Sequence, residues 1–291
     1  MNGGSNLAFR ADGKRVKNAD PMYTVVPFIM NKRYDAMNMI TVDIPVEPIQ
    51  SYINKKRKQG IRMSHMAVVI AAYVRVVKEY PLFNHFIVNK RIYKRNNFPV
   101  AMVVLKSLQT QEETMSKFNM ELDDTIFDVN RKMEEYVEEN RKVSTKNNTD
   151  KMIKFLVSIP GLLSVGVGLF KFLDRHGLLP KFIIDLSPFH SALTITNLAS
   201  IRTNHIYHHI YEFGTTSMFI AIGKNREVAK SRNGEIVLEK CMPLGIVMDE
   251  RICSGIYFAG AFRKFRQYLE NPELLEEKFE PENSKNNSSD T

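Results

Sequence analysis

Leu193-Thr194-Ile195-Thr196-Asn197-Leu198 and Asp249-Glu250-Arg251-Ile252-Cys253-Ser254-Gly255 are the two stretches on which the fold of this chain turns. The first, read within Ser191–Asn197, is short, apolar and β-branched, as expected for a buried strand. The second ends a strand predicted over Cys241–Asp249 and leads into a helix predicted over Gly255–Leu269. Between them, Thr216–Gly223 reads as another buried strand. Val228–Arg232 and Glu235–Glu239 flank Asn233-Gly234, a dipeptide suited to the two positive-φ positions of a tight hairpin.

Upstream, Tyr34–Pro45 is β-rich in its second half and stops at proline. Val46–Lys58 reads as a helix closed by Gly60. Ser64 caps the next helix, whose apolar residues surround almost the whole circumference, so burial on most sides is expected before Pro81 ends it. Phe86–Val88, Arg91–Lys94 and Pro99–Lys106 read as a meander of short strands. Glu112–Asn119 and Asp123–Arg141 read as charged helices, the second with Ile126, Val129, Met133 and Val137 at helical spacing.

The apolar run Phe155–Leu173 reaches membrane-span length but contains Pro160, Gly161, Gly166, Gly168 and Lys171. It is read as a buried helix pair. An acyl- or lipid-contacting surface is kept as a third reading, and no vesicle flotation is expected, because proline and glycine interrupt the helix. The domain reading is a flexible N-terminal arm over 1–20, one mixed α/β domain over 21–279, and a polar, disordered tail over 280–291.

The chain has 291 residues, 44% hydrophobic and 25% charged, a composition that can bury a core without disulfides or metal. Cys241 and Cys253 are too few and too isolated for a thiolate metal site, so no metal is expected. With no apolar leader after Met1, a reducing, cytoplasmic location is expected. The net charge of +9 is spread along the chain without a nucleic-acid recognition motif, and a polyanionic small ligand would suit it equally. The densest cationic run, Lys55–Lys58 with Arg62, is read as a solvated helix end. Neither GxxxxGK[ST] nor GxGxxG occurs, which disfavours a nucleotide-dependent kinase or dehydrogenase.

The order of these pieces resembles the catalytic domain of the dihydrolipoyl acyltransferases of 2-oxoacid dehydrogenase complexes, and through them chloramphenicol acetyltransferase. Leu193–Leu198 is similar to that family's TISNLG strand, and Asp249–Gly255 to its DHRxxDG motif. Thr41-Val42-Asp43-Ile44, Tyr80-Pro81-Leu82-Phe83-Asn84 and Glu270-Asn271-Pro272 are similar to its VDVT, PxxN and closing segments. The resemblance implies an α+β two-layer sandwich with a mixed sheet and flanking helices, and a homotrimer with active sites between subunits. It also implies acyl transfer from coenzyme A or another thioester to a thiol, hydroxyl or amine. No lipoyl domain is expected.

The resemblance places an oxyanion-stabilising hydroxyl at Thr196 and the family's histidine base at Glu250, with its later aspartate at Ser254. A carboxylate is a weak base towards a thiol or alcohol unless burial raises its pKa, and Arg251 beside it would act in the opposite sense. Glu250 is thus read as a tuned base, a structural carboxylate, or a bystander to another base. Substitute bases are His208 and His209 in the HHIYEFG loop, where Glu212 stands one position early for an HHxxxDG pattern, and His190. Asp249, Arg251 and Gly255 are further candidate site residues. Cys253 is read as a small buried residue rather than an acyl carrier. The rival reading is a catalytically degenerate ligand-binding protein or trimeric scaffold.

Overall fold

The computed structural model describes residues 9–107, 112–142, 158 and 161–280. Its elements in chain order are β1 (Phe9–Arg10), β2 (Gly13–Arg15), α1 (Pro21–Ile29), β3 (Met37–Pro45), α2 (Val46–Lys58) and α3 (His65–Glu79). Next come β4 (His85–Val88), β5 (Arg91–Arg95), β6 (Phe98–Ser107), β7 (Glu112–Met120), α4 (Ile126–Lys142), α5 (Leu162–His176) and α6 (Lys181–Leu186). The chain closes with β8 (Leu193–Asn197), β9 (Met218–Ile222), β10 (Arg226–Arg232), β11 (Glu235–Asp249) and α7 (Gly255–Glu270).

The large mixed sheet runs β10-β11-β9-β8-β6-β7, with β3 paired to the second half of β11. β6, β8 and β9 are parallel, and the other pairings are antiparallel. The alternation of a strand sends Leu193, Ile195, Ile220, Leu244 and Ile246 into one core with α2, α3, α4 and α7. This is the expected two-layer arrangement of mixed sheet and flanking helices. Helix α3 is buried almost all round, as its sequence requires, and Ser64 caps it by accepting from the Ala67 amide at 3.1 Å. The Asn233-Gly234 turn has both residues at positive φ, 53° and 86°, and joins β10 to β11.

Four expectations are corrected. Within the segment assigned to a flexible arm, residues 9–15 form β1 and β2 of a second sheet ordered β1-β2-β5-β4, in which β1 pairs with β2 and β2 with β5. Arg10 is the anchor: it is buried, ion-paired to Asp12 and Asp174, and lies over the rings of Phe86 and Tyr93. The meander breaks after β5, because β6 joins the large sheet instead. Glu112–Asn119 is a strand rather than a helix. Pairing to β6 and stacking of Phe118 on Tyr136 of α4 override the helix propensity of its Glu, Met and Lys residues.

The fourth correction concerns the apolar run, whose residues 155–157, 159 and 160 fall outside the described set. Gly166 and Gly168 sit inside a continuous helix α5 instead of breaking it, and that helix is exposed rather than buried. Among the described residues no helix is long and apolar enough to cross a membrane. Of the tail, only Glu280 is described.

Candidate functional site

Thr196 lies near the C-terminal end of β8, half-buried, on the sheet face opposite the helices. Its hydroxyl has no hydrogen-bond partner among the described residues, so it is available to a ligand. Cross-strand register sets Thr196 beside Ala221, Ala221 beside Gly245, and Gly245 beside Thr41, in one row across four strands.

The loop after β8 crosses this row. It can do so because Gly223 and Gly245 lack side chains: a Cβ at Gly223 would stand 2.2 Å from the His205 amide nitrogen, and one at Gly245 2.3 Å from the Ile206 carbonyl. The loop thereby lowers His205 onto the sheet. His205 Nε2 lies 2.9 Å from Thr41 Oγ1, which also bonds the Tyr207 hydroxyl. Its Nδ1 is buried and unpartnered. Burial first, then the nearby Arg226 charge, pulls the imidazole pKa below its usual value, with Asp43 opposing. A neutral imidazole therefore sits about two strand spacings, roughly 10 Å, from Thr196. Sequence reasoning passed over His205 in favour of the neighbouring pair, because only the register shows that small residues lie beneath it.

His208 and His209 stack on each other, and His208 lies flat on Phe219 with ring centroids 4.3 Å apart. Glu212 accepts from the Arg33 amide at 2.6 Å, so it anchors the loop end. His190 is buried between Ser187 and Asp174, with its ring nitrogens 2.8 and 3.2 Å from their oxygens. Ring contacts hold His208 and His209, and hydrogen bonds hold His190.

Glu250 opens a single 3₁₀ turn after β11, half-buried, where Asn38 donates to its carboxylate. It does not pair with Arg251. That guanidinium instead clasps fully buried Asp249 through Nε and Nη2, at 2.8 and 2.7 Å, and donates to the Met30 carbonyl. Asp249 also faces Arg33 at 3.6 Å. The pair thus rivets the end of β11 to the segment after α1. Ser254 Oγ caps α7 by accepting from the Tyr257 amide at 3.2 Å, and Gly255 is the first residue of that helix. Cys253 is buried, and burial, followed by the Asp249 charge, pushes its thiol pKa far up, consistent with a packing residue.

Thr196 and Glu250 are not brought together within one chain. The Thr196 row meets β11 at Gly245, five residues before Glu250, so the two side chains lie roughly 20 Å apart, towards opposite ends of the sheet. Among the described residues no group of three or more His, Cys, Asp or Glu side chains is placed to hold a metal ion. A cleft of about 380 Å³ lies beyond Arg251, between residues 31–33, the β4–β5 turn, α5 and the loop at Glu212–Gly214. Lys32, Lys90, Lys171 and Arg175 line it, so its character is cationic.

This fold is that of the chloramphenicol acetyltransferase-like proteins. It is similar to chloramphenicol acetyltransferase itself, with a TM-score of 0.53 at 11% identity over 88% of this chain and 99% of that one. A probable dihydrolipoamide acetyltransferase from Listeria monocytogenes 4b F2365 gives 0.54 at 12% identity over 88% and 94%. The cubic core of a pyruvate dehydrogenase multienzyme complex gives 0.57 at 10% identity over 90% and 94%. Within the chain, residues 189–276 match the family model of the 2-oxoacid dehydrogenases acyltransferase (catalytic domain). No curated protein matches the chain in sequence.

Proposed function

We propose that this protein is a cytoplasmic acyltransferase that moves an acyl group from a coenzyme A or similar thioester to a thiol, hydroxyl or amine, working as a trimer or a multiple of one. The observation that carries the reading is Thr196: a hydroxyl without a hydrogen-bond partner among the described residues, on the strand of the family-matching segment and facing away from the helical layer. The acceptor gives its proton to a base and attacks the thioester carbonyl. Thr196 then donates to the oxyanion. Collapse breaks the C–S bond, and the departing thiolate takes up the proton.

Two groups compete as base. Glu250 can meet Thr196 only across two copies of the chain, as the separation within one chain requires. His205 shares the Thr196 row and is held neutral, the form that accepts a proton. The rival reading, a non-catalytic scaffold or ligand-binding protein, is favoured by the engagement of Glu250 with Asn38 and of Ser254 with a helix end.

Coenzyme A release from acetyl to long-chain donors tests the assignment, with Thr196→Ala, Glu250→Gln and His205→Gln measured beside the unaltered protein. Loss of an oxyanion donor is expected to lower kcat about 100-fold or more. The base is whichever of Glu250→Gln and His205→Gln also abolishes turnover. Turnover unchanged in all three variants refutes the assigned roles, and coenzyme A binding without turnover supports the scaffold.

A further inference from the structure

Helix α5 is sparsely covered for its composition among the described residues. From Leu162 to Phe170 its sequence carries no charged residue, and of its described side chains Val165 is 69% and Leu169 53% exposed; Phe172, one turn on, is 56% exposed. A helix so apolar is ordinarily buried. The exposed stripe continues through Leu178 and through Phe182 and Leu186 of α6.

Among the described residues, the base of α5 is tied down by its buried acid. Asp174 in its last turn is buried, ion-paired to Arg10 and 3.2 Å from His190 Nε2. The cations cluster at this base. Lys171 and Arg175 leave α5 there, Lys181 starts α6, and Lys32 and Lys90 line the adjoining cleft. Lys32 and Lys171 have no ion-pair partner among the described residues. Across the cleft, α1 exposes a second apolar stripe, Met22, Val25, Phe28 and Ile29, with the Lys90 ammonium over the Phe28 ring.

An apolar, charge-free helix half with a collar of cations at its root matches an anionic bilayer surface in both apolarity and charge. Lying along the interface, the exposed apolar side chains of α5 can enter the boundary between headgroups and acyl chains while the cations at its root stay at headgroup level. We propose that this protein docks on anionic phospholipid membranes through α5, with Lys32, Lys90, Lys171 and Arg175 facing the headgroups. This reverses the flotation expectation drawn from the sequence, and it does not depend on the acyltransferase reading. The attachment is peripheral and reversible, since it relies on one leaflet and on charge.

The test is flotation of the full chain with vesicles of phosphatidylcholine, with or without phosphatidylglycerol, at low and high salt. Binding is expected to the anionic vesicles, at least tenfold above the neutral ones, and to fall with salt. Val165→Asp with Leu169→Asp should abolish it. Lys171→Glu with Arg175→Glu should reduce it about tenfold, with circular dichroism and thermal melting confirming that both variants fold. Absence of binding, or binding untouched by both pairs, overturns the proposal. So does a drop in solution mass of the Val165→Asp, Leu169→Asp variant without vesicle binding by the parent, which would make α5 a contact between copies.

Discussion

Asp174→Asn should cost about 2 kcal/mol at neutral pH, and the cost should fade as the solution is acidified. The carboxylate joins four parts of the chain: it takes 2.6 Å from Arg10 of β1, 3.2 Å from His190 before β8 and 3.3 Å from the Gly214 amide, while its own backbone belongs to α5. Burial alone would raise its pKa, but the His190 hydrogen bond and the Arg10 charge outweigh burial and hold it at about 2, against an ordinary 3.8. At about 1.4 kcal/mol per pKa unit, that depression is worth about 2 kcal/mol of folding stability. A carboxylate whose folded pKa is depressed contributes in full above its unfolded pKa and loses the contribution as pH falls through the folded one. The gap between parent and variant should therefore be complete at pH 5 and above, about half as large near pH 3, and close to zero near pH 2. Urea unfolding followed by circular dichroism at pH 7, 5 and 3 measures it. A gap independent of pH, or a variant as stable as the parent at pH 7, would refute the argument that this charge network anchors α5.

Gly245→Ala should disturb the candidate site more than the fold: its Cβ meets the Ile206 carbonyl at 2.3 Å and the His205 ring at 3.0 Å, so the loop must lift. Overpacking of this kind costs about 1–3 kcal/mol, and thermal melting together with coenzyme A release separates the two effects. Gly214→Ala combines a φ of +87° with a Cβ 2.2 Å from the Phe189 carbonyl, and loss of soluble protein or a severely lowered Tm is expected. Ser254→Ala should cost about 1 kcal/mol through the α7 cap, and Ser254→Asp should restore it, since aspartate caps equally well. Sedimentation should report a trimer or a multiple of one, and a stable monomer would count against a site built between copies.

The elements legible in sequence are those whose signal is local. Val46–Lys58 is a helix with the bounds read from its residues, Ser64 caps where a serine before an apolar run should, and Asn233-Gly234 turns the hairpin its φ preferences demand. Glu112–Met120 was not legible, because its partner strand decides its state and its residues taken alone favour a helix. Arg10 was not legible either: a single arginine in a polar terminus gives no sign of a buried carboxylate 164 residues away.

For the site, the sequence by itself supplied a resemblance, with Thr196 and Glu250 as the residues expected at the positions of an acyltransferase-like hydroxyl and histidine. Tertiary structure alone decided what those residues do in space. Register across β3, β11, β9 and β8 separates Thr196 from Glu250, gives Asp249 rather than Glu250 to Arg251, and lays His205 over a glycine in the Thr196 row. Likewise, the apolar composition of α5 was plain in the sequence, but its exposure was not. Composition records how much a helix would gain by burial, and only the packing of the whole chain shows whether that surface has been covered.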